Sequence, residues 1–306
     1  MSVSQTEAPN KAIVSIKAIV PDDATTANLL GTEREGTAVR ISEDGLLVTI
    51  GYLVLDAEEI WLTNHLGQVS QAWVVAHDFD LGLAILKPVV PIGNHWLRAA
   101  FLDKVVPGKA LQATNAFNSI DCAVIGKREF VGRWEYVLDE ALFTAPEIED
   151  WSGSALLNER GELCGIGSLA TEVHTASNIV MQGNMFVPFS LEGDELQFMR
   201  EQGRASGTPR PWMGTFVQDY QGQLVMVGIY KDCPAHLAGI EPGDIVLSVD
   251  GEPVGQLAEF FRSVWSLGEA GVVVPLAIER QGTKKEYMLN SIDRHLFQLS
   301  PTRILN

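Results

Sequence analysis

The strongest constraint on the fold of this chain is the pattern of residues 13–188, where short β-branched and apolar runs alternate with Gly, Asp and Asn. Helical periodicity is almost absent, and such a pattern is typical of all-β proteins. Residues 38–50 predict a strand, an Asp44-Gly45 turn and a second strand, and residues 155–166 repeat this arrangement. Amphipathic segments of about 10 to 15 residues, which link parallel strands, are missing. We therefore expect a β-barrel or a pair of barrels.

The composition changes at residues 201–210, a polar segment that contains Gly and ends in Pro and Arg. Such a composition is typical of a flexible linker. Residues 190–200 before it predict a short helix that closes the first domain. After the linker, residues 257–267 give the strongest helix prediction, because their apolar side chains fall on one helical face.

These observations divide the chain into four predicted segments. The first domain takes residues 1–200 and the linker residues 201–210. A small α+β domain takes residues 211–297, because strand patterns there alternate with the helix at 257–267. A tail at 298–306 completes the chain.

The charge of the chain limits its partners. Its 39 acidic and 22 basic residues give a formal net charge of −17. A negative surface repels phosphate backbones and anionic lipid headgroups, so we expect neither a nucleic acid nor a membrane as a partner. No phosphate-binding loop, metal-ligand cluster or dinucleotide fingerprint is present in the sequence, and we therefore expect no cofactor and no metal.

The cysteines and the amino-terminal residues bear on the compartment. Cys122, Cys164 and Cys233 are odd in number, far apart in sequence and without CxxC spacing, which favours a reducing environment. Residues 1–11 lack the apolar core of a signal peptide. We therefore predict a cytoplasmic protein, or a periplasmic one if the numbering omits a signal peptide.

Three segments after the linker resemble the PDZ domains of bacterial HtrA proteins: residues 210–214, 233–246 and 249–254. The second reads CPAHLAGIEPGDIV, close to the SPAxxAGLxPGDxI pattern of these domains. PDZ domains bind an extended peptide at a sheet edge and capture its terminal carboxylate in a backbone loop. The resemblance implies a peptide-binding surface formed by Trp212, Met213, Gly214, Thr215, Phe216, Phe261 and Val264. For the last two, on the predicted helix, core packing is the alternative.

Three segments of the first domain resemble the trypsin-like protease domain of the same HtrA family: residues 36–54, 78–87 and 150–156. In the family they carry the catalytic histidine, aspartate and serine. The resemblance implies a mainly β fold, a trypsin-like double β-barrel followed by a small α+β PDZ domain. It also implies a homo-oligomer, a trimer in the family.

The catalytic positions depart from the family pattern. Tyr52 stands in place of the histidine and Gly82 in place of the aspartate, while Ser152 keeps the position of the nucleophile. A serine needs an adjacent base whose pKa lies near the working pH, whereas tyrosine titrates near 10. Carboxylates at Glu147, Glu149 and Asp150 would also oppose an oxyanion. We therefore predict a catalytically inactive HtrA-like protein that binds peptides or protein C-termini as an adaptor, scaffold or chaperone.

Two alternatives stay open. One is an active serine endopeptidase in which Ser152 uses a rearranged base, with His77 beside Asp78 as a candidate, although surface histidines are commoner. The other is a structural subunit of a larger complex whose PDZ groove is filled by its own chain. The carboxyl-terminal Asn306 is less apolar than such grooves prefer, which disfavours capture of the chain's own end.

Overall fold

The computed structural model describes residues 11–174, 179–191 and 193–298. The chain divides into two compact units. The first unit contains the residues up to Glu129 together with Leu138–Ser206, and the second contains Phe130–Val137 and the residues from Gly207 onward. The domain limits at 200 and 211 stay a prediction, and the predicted tail beyond Gln298 lies outside the described residues.

A closed barrel forms the amino-terminal part of the first unit, with six strands among the described residues in the order β1-β2-β3-β6-β5-β4. A short helix, α1 (Ala27–Leu30), joins its first two strands. The hairpin predicted around Asp44-Gly45 is confirmed, since Val39 pairs with Val48. The strands are β1 (Ile13–Ile19), β2 (Glu33–Arg40), β3 (Leu47–Ile50), β4 (Glu59–Thr63), β5 (Val69–Asp78) and β6 (Leu83–Pro88).

A second closed barrel follows, again with six strands in the described part of the chain, in the order β10-β11-β12-β9-β8-β7. Leu142, Leu156 and Phe186 are buried in its apolar core. The predicted pair of barrels is thereby confirmed. The strands are β7 (Ala110–Thr114), β8 (Ser119–Gly132), β9 (Tyr136–Ala145), β10 (Ala155–Leu157), β11 (Leu163–His174) and β12 (Val180–Pro188).

The helix that closes the first unit, α2, spans Gly193–Gln202 rather than the predicted 190–200. Asp194 and Glu195 lie in its first turn, where carboxylates interact favourably with the helix dipole. The helix continues two residues into the predicted linker, because Glu and Gln are good helix formers, and Gly203 follows with φ +73°.

The second unit contains a sheet in the order β13-β14-β15-β17-β18, with β16 paired to β15. Helix α3 begins at Pro234 and ends before Gly239, which adopts φ +84°. Proline is favoured in the first turn of a helix and glycine just after its last residue. The elements are β13 (Thr215–Tyr220), β14 (Gln223–Ile229), α3 (Pro234–Ala238), β15 (Ile245–Val249), β16 (Glu252–Pro253), α4 (Leu257–Ser266), β17 (Val273–Arg280), β18 (Thr283–Asn290) and α5 (Arg294–Gln298).

The apolar face of α4 packs into the core of the second unit. Phe260, Phe261 and Val264 belong to its main apolar cluster, and Phe261 is 1% exposed. Of the two readings that the sequence allows for Phe261 and Val264, burial favours core packing. Their part in a peptide groove stays a prediction.

Replacing Phe261 by alanine is expected to lower the free energy of unfolding of the second unit by about 3–5 kcal/mol, because it removes a buried ring and leaves a cavity. Equilibrium urea unfolding followed by circular dichroism measures this change. The control is Leu237→Ala on α3, where the side chain is 74% exposed and we expect a loss below about 0.5 kcal/mol. Equal effects of the two substitutions would refute the core assignment.

Candidate functional site

Tyr52 lies in a 3₁₀ turn, Gly51–Leu53, that follows β3 directly. The buried Arg34 guanidinium donates to the carbonyl oxygens of Tyr52 and Leu55 at 2.6 and 2.8 Å, which holds this turn against β2. The amide of Gly51 donates to the carbonyl oxygen of Gly82 at 2.7 Å. Gly82 therefore contacts the backbone of the turn that carries Tyr52.

Ser152 lies in the loop between β9 and β10. Its carbonyl oxygen accepts a hydrogen bond from the amide of Thr37 at 2.9 Å, so β2 also fixes this loop. Gly153 follows with φ +75°, and a Cβ atom there would collide with the carbonyl oxygen of Thr37. Glycine after the serine is thus required by the close approach of the two backbones.

The structure brings Tyr52 and Ser152 together. The phenol oxygen of Tyr52 lies 2.8 Å from Ser152 Oγ and 2.8 Å from the carbonyl oxygen of Ser168 on β11. A carbonyl can only accept, and a phenol has one proton, so Tyr52 donates to Ser168. Ser152 therefore donates its own proton to the phenol oxygen.

The phenol receives this hydrogen bond but is a poor acceptor of the proton itself. Burial raises the pKa of Tyr52 to about 12, although the hydrogen bond with Ser152 lowers it. At neutral pH roughly one molecule in 10⁵ then carries the phenolate that general-base catalysis requires. At neutral pH the pair is a neutral hydrogen-bonded contact.

The position expected for an orienting aspartate is a glycine with φ +72° and no side chain to orient a base. The turn that leads to Gly82 is shaped by Asp78, whose Oδ1 accepts from the amides of Asp80 and Leu81 at 3.0 and 2.8 Å. Asp78 is buried, and burial raises its pKa to about 6.

His77, the candidate for a recruited base, is not a surface residue. It is 2% exposed, and its ring stacks on Phe79 with a centroid distance of 5.3 Å. Its amide donates to the carbonyl oxygen of Gly203 at 3.2 Å. The position of His77 on β5 therefore gives it these packing and backbone contacts. The neighbouring Asp78 in the sequence did not indicate them.

The acidic approach to Ser152 is exposed. Glu149 and Asp150 both face solvent, and Asp150 adopts φ +52°. Asn115 Nδ2 donates to the carbonyl oxygen of Glu149 at 2.8 Å, which fixes the loop backbone. Both carboxylates belong to the loop between β9 and β10 that carries Ser152.

In the second unit, the residues expected to bind a peptide carboxylate are buried. Gly214 adopts φ +83°, and a Cβ atom there would collide with the side chain of Cys233. The ring of Trp212 packs on Tyr230 and Phe297, with centroid distances of 5.6 and 4.7 Å. Their assignment to peptide binding stays a prediction.

The amides of Met213 and Thr215 both donate to the carboxylate of Glu135, at 3.0 and 2.7 Å. No sequence motif pointed to Glu135, which lies in the short segment between β8 and β9.

Two further features concern metals and membranes. Among the residues that the structure describes, no group of three or more His, Cys, Asp or Glu side chains is placed to hold a metal ion. Within the same ranges, no helix has the length and apolar character needed to cross a membrane.

The chain is similar to known proteins over most of its length. A family model described as a PDZ domain matches residues 225–280. The probable periplasmic serine endoprotease DegP-like of Pseudomonas fulva (strain 12-X) is 26% identical over 286 residues, which cover 83% of this chain and 56% of that protein. Serine endoprotease DegS of Escherichia coli (strain K12) is 26% identical over 274 residues, covering 83% and 75%. The chain thus spans little more than half the length of the DegP-like relative.

Solved structures support the fold. The HtrA-type protease AlgW with decapeptide matches with a TM-score of 0.55 and 20% identity, covering 94% of this chain and 97% of that one. The serine endoprotease from Yersinia pestis matches with a TM-score of 0.53 and 22% identity, covering 94% and 95%. The trypsin-like fold with a carboxyl-terminal PDZ domain is thereby confirmed.

The predicted cytoplasmic location is wrong, since matched relatives are named periplasmic endoproteases. The unpaired cysteines do not indicate a reducing compartment, for a physical reason. All three cysteines are buried and free, and burial raises the pKa of Cys122 to about 11 and of Cys164 to about 12. Buried thiols with raised pKa values are unreactive, so unpaired cysteines are compatible with an oxidising compartment.

Tyr52→Phe is expected to lower the free energy of unfolding by about 1–2 kcal/mol, because it keeps the ring but leaves the buried carbonyl of Ser168 unpaired. The control is Ser152→Ala, which leaves the bond from Tyr52 to Ser168 intact and should cost less. Equilibrium urea unfolding measures both. A cost for Tyr52→Phe no greater than that for Ser152→Ala would contradict the assigned hydrogen bonds.

Asp78→Asn is expected to stabilise the protein at pH 8 by about 2 kcal/mol and to have little effect at pH 4. The folded-state pKa of Asp78, about 6, lies above the ordinary value of 3.8, so the folded protein binds this proton more tightly than the unfolded chain does. The stability that results is fully present below pH 3.8 and is lost as pH rises through 6. Asparagine does not ionise and keeps the acceptor oxygen. Unfolding at both pH values measures the effect, with Asp121→Asn as the exposed control. A pH-independent difference would refute the raised pKa.

Proposed function

The chain is an HtrA/DegS-like protein with a trypsin-like protease fold and a carboxyl-terminal PDZ domain, and we propose that it is catalytically inactive and binds peptides or protein C-termini. One observation carries the proposal: Ser152 Oγ lies 2.8 Å from the phenol oxygen of Tyr52, where the family has an imidazole. A neutral phenol holds the serine in place without taking its proton.

The expected loss of activity is large. Removal of one member of a serine protease triad costs about 10⁴ to 10⁶-fold in turnover. Here Tyr52 and Gly82 replace two members, and the exposed carboxylates of Glu149 and Asp150 disfavour negative charge on a substrate. These features together support a protein that binds polypeptides rather than one that cleaves them.

The proposed role is that of an adaptor, scaffold or holding chaperone in the periplasm, the location named for matched relatives. The HtrA-type protease AlgW has been solved with a decapeptide, which supports peptide binding as the function of the second unit. We also propose a homo-oligomer, a trimer by resemblance to the family. The net charge of −17 argues against nucleic acid as a partner.

An active serine endopeptidase is the second candidate, and two observations favour it. Matched relatives are named serine endoproteases, and Ser152 is followed by the glycine that its loop needs. In this case the phenolate of Tyr52 would be the base, so turnover would rise about tenfold per pH unit well above neutrality.

A fluorophosphonate probe is expected to label wild type and Ser152→Ala equally weakly, since the serine is not activated at neutral pH. Casein cleavage should likewise be the same for the two proteins at pH 7.5 and at pH 10. Trypsin in the same reaction provides the positive control. Labelling or cleavage that depends on Ser152 would overturn the inactive assignment, and a rise with pH would favour the phenolate mechanism.

A further inference from the structure

The loop that is expected to capture a peptide carboxylate already holds one from the same chain. Glu135 Oε2 accepts from the amide of Met213 at 3.0 Å, and Oε1 accepts from the amide and hydroxyl of Thr215 at 2.7 and 3.0 Å. The side chain is 6% exposed. Backbone amides converging on both oxygens of one carboxylate are the chemistry by which such loops recognise a chain terminus.

The same segment also bonds to the edge of the sheet. β13 is the first strand in the sheet order, so one of its edges is not paired with another strand of the sheet. The amide of Val217 on this strand donates to the carbonyl oxygen of Arg133 at 2.8 Å. The Arg133 guanidinium also reaches Gln218 Oε1 at 3.3 Å. A bound peptide makes this type of backbone bond to a sheet edge.

Apolar side chains of the segment complete the contact. Val137 is buried in the main apolar cluster of the second unit, and Val131 packs against that cluster. Phe216 on β13 also packs against it. Residues 130–137, which we call the plug hairpin, thus provide a carboxylate, a backbone acceptor and apolar side chains, the three components of peptide recognition.

Aromatic side chains pack against one another within the plug hairpin. Trp134 stacks on Tyr136 with a centroid distance of 5.7 Å, and Phe130 lies edge-on to Tyr136 at 6.2 Å. Glu135 adopts φ +57°, a left-handed conformation that a glutamate rarely takes. Strained residues of this kind cluster at ligand clamps and switch regions. The plug hairpin therefore places the side-chain carboxylate of Glu135 at the loop, where a bound peptide would place its terminal carboxylate.

We propose that the plug hairpin is a built-in competitor of the peptide, so that a partner with a free C-terminal carboxylate binds only after Glu135 leaves the loop. This inference rests on the proposed peptide-binding function. A partner binds the fraction of molecules in which the loop is free, so its apparent affinity falls by that fraction. A loop that is occupied nine times in ten weakens binding about tenfold.

The electrostatics of Glu135 are consistent with a contact that a partner can displace. Burial raises its pKa above the ordinary value, although the hydrogen bonds from Thr215 and Met213 and the nearby Arg294 lower it. The desolvation cost of the ionised carboxylate is thus only partly offset by its donors.

The test is fluorescence polarisation of a fluorescein-labelled pool of hexapeptides that end in an apolar residue with a free carboxylate. We expect Glu135→Ala to bind this pool at least tenfold more tightly than wild type, and Glu135→Gln to be intermediate. The same pool with amidated C-termini should show no gain. The matched control is Glu140→Gln on β9, whose carboxylate makes an exposed ion pair with Lys127 at 2.9 Å and should leave affinity unchanged.

Amide hydrogen exchange at Met213 and Thr215 provides an independent measurement. Both amides should be protected in wild type and lose protection in Glu135→Ala while the exchange of β15 and β17 stays the same, which shows that the variant is folded. Equal and measurable peptide affinity of wild type and Glu135→Ala would overturn the competitor while leaving peptide binding in place. No binding by any variant would overturn both proposals.

Discussion

The hydroxyl of Tyr52 connects the two barrels of the first unit through its contacts with Ser152 and Ser168. It donates to the backbone of β11 and accepts from Ser152, which lies in the loop before β10. The turn that carries Tyr52 is in turn fixed by Arg34 and by the carbonyl of Gly82. Burial of this side chain keeps its phenol protonated at neutral pH, although the hydrogen bond with Ser152 lowers the pKa. The position of Tyr52 between the barrels therefore decides its protonation state.

Local signals in the sequence were sufficient for several elements. Pro234 and Gly239 define both ends of α3, and the apolar periodicity defines α4, because both depend on neighbouring residues alone. The meeting of Tyr52 and Ser152 followed from resemblance to a known fold, since the two residues are 100 positions apart. No local pattern could reveal that Glu135 reaches Thr215, 80 residues away, because a hairpin turn and a partner contact look alike in sequence.

The two candidate sites share one physical arrangement, in which a side chain from elsewhere in the chain satisfies the polar groups of the site. At Ser152 the phenol of Tyr52 satisfies the nucleophile, and at the PDZ loop the carboxylate of Glu135 satisfies the backbone donors. Both arrangements leave few polar groups unpaired and therefore favour stability over reactivity. They differ in one respect: Tyr52 is fixed in its barrel, whereas we propose that the docked plug hairpin is displaced by a partner.

The central claim is that Tyr52 stays a neutral phenol while it holds Ser152, and its ionisation can be followed directly. The chemical shift of Tyr52 ¹³Cζ, in protein labelled at tyrosine and assigned with Tyr52→Phe, reports the phenolate without an activity assay. We expect no titration of this signal from about pH 6 to about pH 10, because burial raises the pKa of Tyr52 to about 12. A titration midpoint below about pH 9 would contradict it, since Tyr52 would then supply a base within reach of Ser152.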